Sequence, residues 1–467
     1  MDLLPPPPVE ISREDGVQLA PEYVDPTAGL MKVGRDGRPL YVKPVEHVEE
    51  QADLSFIEND DGIYELSPSM IDYTSEGMKQ PMPSNRMHPV DGETAGLHRD
   101  ISGVRLYADN ARDVTFWRFN LEVELSTTQQ RIAYRINQGP ALGFWVPPAG
   151  ESMNIMFHSG NGFSPSADSD RVCGPDPLWR DILNEHQTRP FHVMIGGGDQ
   201  IFNDSVITES TFFQEWIKIK NAAERYGAPF TPEFRAEIEQ FYLEQYAAWF
   251  SQGLFSLASS QIPMVNIWND HEIFEGFGSY HDDFMQTAVI SGLGKIAFKY
   301  YMLFQHHSVP DETEVDEPSW LLGAHPGPYI EQRSRNLFMS LGQGVSFLGL
   351  DCRTERRSNE VLSEETCDLL WDRCHREIMK GETKHLIVLS SVPVAYPRVA
   401  MLKSYLNSRK SLGKSGVLGG LVNRSGGNVE VFDDHWAGKH LKSERTWLVE
   451  DLQDLAAEKS IRVTILR

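Results

Sequence analysis

Beyond residue 150 the chain alternates short apolar runs with longer stretches whose apolar residues recur every three to four positions. The runs "MNIMFH", "FHVMIGGG", "IPMVNIWND", "GVSFLGLD", "HLIVLSSVP" and "IRVTILR" have the length and composition of buried strands. Residues 231–250, 284–305, 363–380 and 443–459 have helical periodicity. Strand and helix in series predict an α/β core with helices on both faces of the sheet. Between 103 and 147 the period drops to two, in "FWRFNLEVEL", "RIAYRIN" and "LGFWVP", which predicts a small antiparallel, sandwich-like β module. Residues 1–100 carry a proline run, acidic stretches and scattered apolar patches, and are expected to form an extended or disordered acidic arm. The expected organisation is therefore an arm (1–100), a β-sandwich-like module (101–150) and an α/β domain (151–467).

Composition narrows the function. A length of 467 residues suits more than one core, and a formal charge of −24 argues against general binding to nucleic acid or to an anionic membrane. Nothing approaches the roughly 18 uninterrupted apolar residues of a membrane span, and "MDLLPPPPVE" lacks the features of a signal peptide, so the expected location is cytoplasmic. The four cysteines have no zinc-like spacing. Cys367 and Cys374 fall on one helical face, as small buried hydrophobes would. The "GKS" at 413–415 is not a phosphate-binding loop, because Ser408 stands where its first glycine belongs.

Three strand ends finish in acidic or histidine-bearing turns: "GGGDQIFND", "IWNDHEIFEGFGSY" and "LGLDCRTER". One such aspartate is ordinarily a turn or cap residue. Three in one sheet suit a hard cation, which needs oxygen ligands converging from separate segments. In a two-metal hydrolase a shared carboxylate holds the ions roughly 3.5–4 Å apart. On this reading Asp199 bridges, Asp270 binds one ion and His271 reaches a leaving-group oxygen. Arg353 either clamps a phosphate or pairs with Asp351 or Glu355. His271 is open between a structural histidine and an acid or ligand.

These segments, with "AFKYYMLFQHH", "SSVPVAYPR" and "DDHWAGKHLKSER", resemble the PhoD-like phosphatase family, in its long intracellular fungal form, over roughly residues 100–467. The resemblance implies a metallophosphoesterase core of two facing sheets flanked by helices, behind a β-sandwich domain. It also implies hydrolysis of phosphate esters with iron and calcium or a similar metal set.

Several positions depart from the family pattern. G-D-x-x-Y reads G-D-Q-I-F, placing Phe202 where a metal-binding phenol is expected, and S-C-N-G-F reads "SGNGF", placing Gly160 at the cysteine. His158, two residues earlier, is a candidate replacement donor. W-D-D-H-[DE] reads "WNDHE", so Asn269 joins Asp199 and Asp270 as a candidate metal ligand through an uncharged oxygen. Asp204, His158, Asn161, Asp434 and His435 are candidate pocket residues, with helix capping the alternative role of Asp434. "IRVTILR" resembles the strand that leads into the family's G-D-V-H turn, and Arg467 follows it, so a C-terminally incomplete metal site is expected. Three functions remain: a metal-dependent phosphatase or phosphodiesterase with an eroded site, an inactive relative that binds a phosphorylated ligand or partner, and an incomplete gene model.

Overall fold

The structure is a computed structural model. It describes residues 98–137, 142–162, 176–251, 253–395 and 441–467, with the two-residue strands Lys32–Val33 and Pro39–Leu40 and the single positions Gly96, Trp436, Gly438 and His440. The expected arm therefore lies almost wholly outside the described residues, as do Cys173, Asp434, His435 and the segment 413–427.

Two sheets organise the described α/β region. The first is parallel and three-stranded, in the order Ile155–His158, Val193–Gly197, Met264–Ile267. The second has five strands, Trp320–Pro326, Arg333–Ser340, Val345–Leu350, His385–Ser390 and Arg462–Leu466, antiparallel across the first two pairs and parallel across the last two. All six expected apolar runs form strands within these sheets. The parallel joins need crossovers, which the helices supply. Pro177–Thr188 lies between the first two strands, Glu364–Glu377 before His385–Ser390, and Lys442–Lys459 before Arg462–Leu466.

Alternation along each strand divides the apolar side chains between layers. Val193 and Ile195 join Ile267, Leu337, Phe347 and Leu389 in one core, so the two sheets share an interior. Their approach is close. A Cβ on Gly349 would meet the Ile267 side chain at 3.1 Å. Met156 and Met194 turn the other way, onto Trp179, Leu183 and Phe255. On the far side of the second sheet Leu348, Leu386 and Val388 pack against Leu370 and Cys374 of one helix and Leu448, Leu452 and Leu455 of another. Each fully buried large side chain contributes roughly 1.5–3 kcal/mol from apolar burial, so the layers leave little freedom in the strands' relative position.

The helices start where their sequences place caps. The Thr231 hydroxyl accepts from Phe234 N at 3.2 Å ahead of Pro232–Phe250, and Thr287 accepts from Ile290 N at 3.3 Å ahead of Ala288–Gln305. The helix expected over 284–305 is divided, with a short turn at Asp282–Met285 before the long segment. Ala288–Gln305 is buried along most of its length, and its Tyr301 stacks on Trp268 with ring centroids 4.7 Å apart.

The 101–150 segment is antiparallel, but among the described residues its strands form two separate two-stranded sheets, Val104–Asp109 with Val114–Arg118 and Gln130–Tyr134 with Leu142–Val146. They attach at different places. Phe116 meets Phe304 edge-on at 5.2 Å and Arg118 pairs with Glu312 at 2.7 Å, whereas Tyr134 donates to Ser260 O at 2.6 Å. Period-two alternation marks the face of a strand but not its partner, and the expected joined sandwich is replaced here by two ribbons.

A candidate metal centre at the strand ends

The carboxyl ends of Val193–Gly197, Met264–Ile267 and His385–Ser390 converge. A Cβ on Gly198 would lie 2.6 Å from Asn269 Cβ and 3.2 Å from Ser391 Cβ, and Gly198 has φ +97°. Only glycine allows that approach. Asp199 follows in the left-handed region at φ +59°, which a short acidic side chain tolerates better than most.

Glu272 secures this turn. Its Oε2 accepts the backbone N–H of Asp199 at 2.9 Å and of Asn269 at 2.8 Å, while Oε1 accepts Gln200 N–H at 2.7 Å. One fully buried carboxylate thus ties the turns after two adjacent strands. Asn203 reinforces them, donating Nδ2 to Glu272 O at 2.7 Å and its N–H to His271 O at 2.8 Å. In the sequence Glu272 shows only as the acid between His271 and Ile273 in "WNDHE", a signal that does not reveal its role of tying the two turns.

Asp199, Asp270 and His271 each place one donor atom so that all lie within 4.8 Å of one another, the grouping expected of a cation site. Asp199 Oδ1 is buried without a hydrogen-bond partner. His271 Nδ1 is engaged by Asp204 Oδ2 at 2.7 Å, and Asp204 Oδ1 accepts Glu275 N–H at 2.6 Å. That leaves His271 Nε2 for the cluster, an arrangement common where a carboxylate orients a metal-binding imidazole. Phe202 packs against the His271 ring at a centroid distance of 4.6 Å.

Electrostatics match. Burial, and after it the charge of Asp270, pushes the Asp199 carboxyl up, and burial followed by Asp199 pushes Glu272 up to about 8. Burial alone would lower the His271 imidazole, but Asp270 and then Asp204 hold it up at about 10. With His271 neutral, as a nitrogen donor to a metal must be, the carboxylates of Asp199, Asp204, Asp270 and Glu272 outnumber the Arg353 guanidinium by three, a negative surplus that one divalent ion largely offsets. The orphaned Asp199 oxygen and this surplus fit a bound cation.

The other expected residues occupy different positions. Asn269 directs Nδ2 to Asp199 Oδ2 at 3.0 Å and accepts from Arg353 Nε at 2.7 Å, so its oxygen is turned from the cluster. Arg353 is 1% exposed, donates Nη1 to Phe277 O at 3.0 Å and sits with Nη2 3.4 Å from Asp270 Oδ1. It is neither a surface pair with Asp351 or Glu355 nor a free phosphate clamp. Asp351 accepts from Trp268 Nε1 at 2.7 Å and from Arg335 N at 2.8 Å, and Glu355 accepts from Ser363 at 2.7 Å.

His158 lies outside the cluster. Its ring meets Trp179 edge-on at 5.0 Å, both nitrogens are buried without a partner, and burial lowers its pKa to about 4. Asn161 is a latch: its N–H donates to Asp199 O at 2.8 Å, its Nδ2 to Gln200 O at 3.1 Å, and its Oδ1 accepts from Trp179 at 2.6 Å. Gly160 has φ +76° and donates its N–H to Gly198 O at 3.0 Å.

The segments that build this geometry fall within one family. A family model described as PhoD related phosphatase matches residues 147–410 and 401–467. The chain belongs to the PhoD related phosphatase family. A curated relative from Saccharomyces cerevisiae (strain ATCC 204508 / S288c), "Uncharacterized protein YGR266W", is 36% identical over 402 residues, which are 79% of this chain and 56% of the relative. The chain thus spans little more than half the length of that relative. A solved structure described as "Structure of PhoD" aligns over 70% of this chain and 53% of its own, with 14% identity and a TM-score of 0.39, too loose to carry over residue positions. Asp199, Asp270, His271 and Arg353 all lie inside the match to the PhoD related phosphatase model. Among the described residues no helix is long and apolar enough to cross a membrane.

Proposed function

We propose that this chain is a metal-dependent phosphoesterase whose cation is held by Asp199, Asp270 and His271. The observation that carries this reading is the convergence of three donor atoms within 4.8 Å around a buried Asp199 oxygen that has no other partner. Family membership supplies the reaction class, and a phosphate ester of a small molecule is the proposed substrate.

When bound, the cation supplies Lewis acidity toward a phosphoryl oxygen and makes a water a better nucleophile. Asp199 and Asp270 provide oxygen donors at adjacent strand ends, and Glu272 fixes the turns that carry Asp199 and Asn269. His271 provides Nε2, with its ring oriented by Asp204 through Nδ1. In this reading His271 is a ligand rather than the acid that protonates the leaving group, and Asn269 holds Asp199 instead of binding metal.

Phe202 against His271 and the bare Gly160 favour a second reading, a site that binds a phosphorylated ligand without turnover. Hydrolysis of an aryl phosphate and an aryl phosphodiester, assayed with manganese, iron or calcium, separates the two. The first reading expects turnover that Asp199→Ala abolishes. Turnover unaffected by that substitution removes the assignment, and absence of turnover with retained phosphate binding favours the second.

A further inference from the structure

We infer that Arg353 serves as a built-in cation in place of a second metal ion, so that the site takes one divalent ion and not a pair. The inference rests on the proposed metal-binding role of Asp199, Asp270 and His271, and concerns how many ions they hold.

A two-ion site needs ligand oxygens directed at both ions, and a fixed positive charge beside those ligands opposes the second ion by like-charge repulsion. Here the guanidinium of Arg353 is 1% exposed and lies 3.4 Å from Asp270 Oδ1. The other oxygen of Asp270 already accepts Gly276 N–H at 2.6 Å. Arg353 also acts one residue further on. Because its Nε donates to Asn269 Oδ1 at 2.7 Å, the amide orientation of Asn269 is fixed, and Nδ2 must face Asp199 Oδ2. One oxygen of Asp199 is thereby occupied by a donor, and only Oδ1 is without a partner. A second divalent ion on this side would replace that donor's contact and stand beside a buried positive charge. The relay Arg353 to Asn269 to Asp199 leaves room, in charge and in lone pairs, for one ion.

The arginine accounts for the asparagine as well. A carboxylate at 269 would still accept from Arg353 but would face Asp199 Oδ2 with a second acceptor and no donor, which only another cation could reconcile. An amide at 269 is therefore matched to an arginine at 353 in a single-ion site.

The test loads the full chain with Mn2+, counts bound metal by mass spectrometry after desalting, and records the electron paramagnetic resonance spectrum. The wild type is expected to hold one Mn2+ per chain with an uncoupled six-line signal, as is Arg353→Lys, which keeps the charge. Asn269→Asp combined with Arg353→Met is expected to hold two with an exchange-coupled signal, its fold checked by circular dichroism. Two ions in the wild type overturn the single-ion inference while leaving the metal site standing, and one ion in the folded double variant does the same. Zero ions in the wild type overturn the metal-binding reading and this inference together. If the double variant does not fold, the wild-type stoichiometry and its spectrum decide.

Discussion

The carboxylate of Glu272 accepts the backbone N–H of Asp199 at 2.9 Å across 73 positions of chain. The same group holds Asn269, so the turns that carry Asp199 and Asp270 are positioned by one buried acid. Glu272→Gln keeps the size but replaces one acceptor oxygen with an amide that faces backbone donors. Removing an acceptor from buried N–H groups costs about 1–3 kcal/mol each, and lost support around a metal site typically lowers affinity by about 10–100-fold. Expected outcomes are a lower urea midpoint and a Mn2+ dissociation constant raised by at least about tenfold, measured by denaturation and calorimetric titration. Unchanged affinity in a folded variant removes the positioning role.

Gly198 offers a second handle. Alanine there would set Cβ 2.6 Å from Asn269 Cβ at φ +97°, so both the contact and the backbone angle oppose it. A destabilisation of roughly 2 kcal/mol or more follows, together with weakened metal binding as Asn269 is displaced. Gly160→Ala is the control: φ is +76°, but its Cβ would meet nothing within 4 Å, so only the backbone cost remains. Comparing the two unfolding midpoints checks this, and equal losses would contradict it.

Stability should fall on mild acidification through a histidine remote from the site. His186 Nδ1 accepts Phe191 N–H at 3.0 Å, which requires an unprotonated nitrogen, and the ring stacks on Phe191. Burial first, then the charges of Arg131 and His192, lowers its pKa from 6.5 to about 3. The unfolded chain therefore binds a proton below pH 6.5 that the folded chain refuses until about pH 3. The contribution of His186 is whole above pH 6.5 and is lost progressively between 6.5 and 3, on the order of a few kcal/mol. His186→Gln is expected to flatten the dependence of the unfolding midpoint on pH within that window, and a slope equal to wild type would exclude His186 as its source.

Much of this arrangement is legible in the sequence because the six apolar runs are continuous and the acidic turns follow them directly. The hairpin of Trp320–Pro326 and Arg333–Ser340 is not, since its second strand buries Ser334, Arg335 and Asn336, polar residues whose partners lie largely in other segments of the chain. Asn336, for example, accepts the N–H of Asp351, the residue after the next strand, at 2.8 Å. Asp199, Asp270 and His271 can be picked out by type and position. Arg353 cannot be placed in the same way, because residue type does not say whether a guanidinium is exposed to substrate or buried among protein acceptors. The orientation of Asn269 is similarly hidden, being set by that arginine 84 positions away.

The contact of Gly198 with Asn269 and Ser391 makes the site a late product of folding. Those three positions belong to turns of both sheets and are separated by about 70 and 120 residues of chain, so their meeting requires the slow, long-range closures that limit folding rates. Metal capture during refolding should therefore lag behind the appearance of helix, and a chain that has lost the packing between its sheets should release its ion before its secondary structure melts.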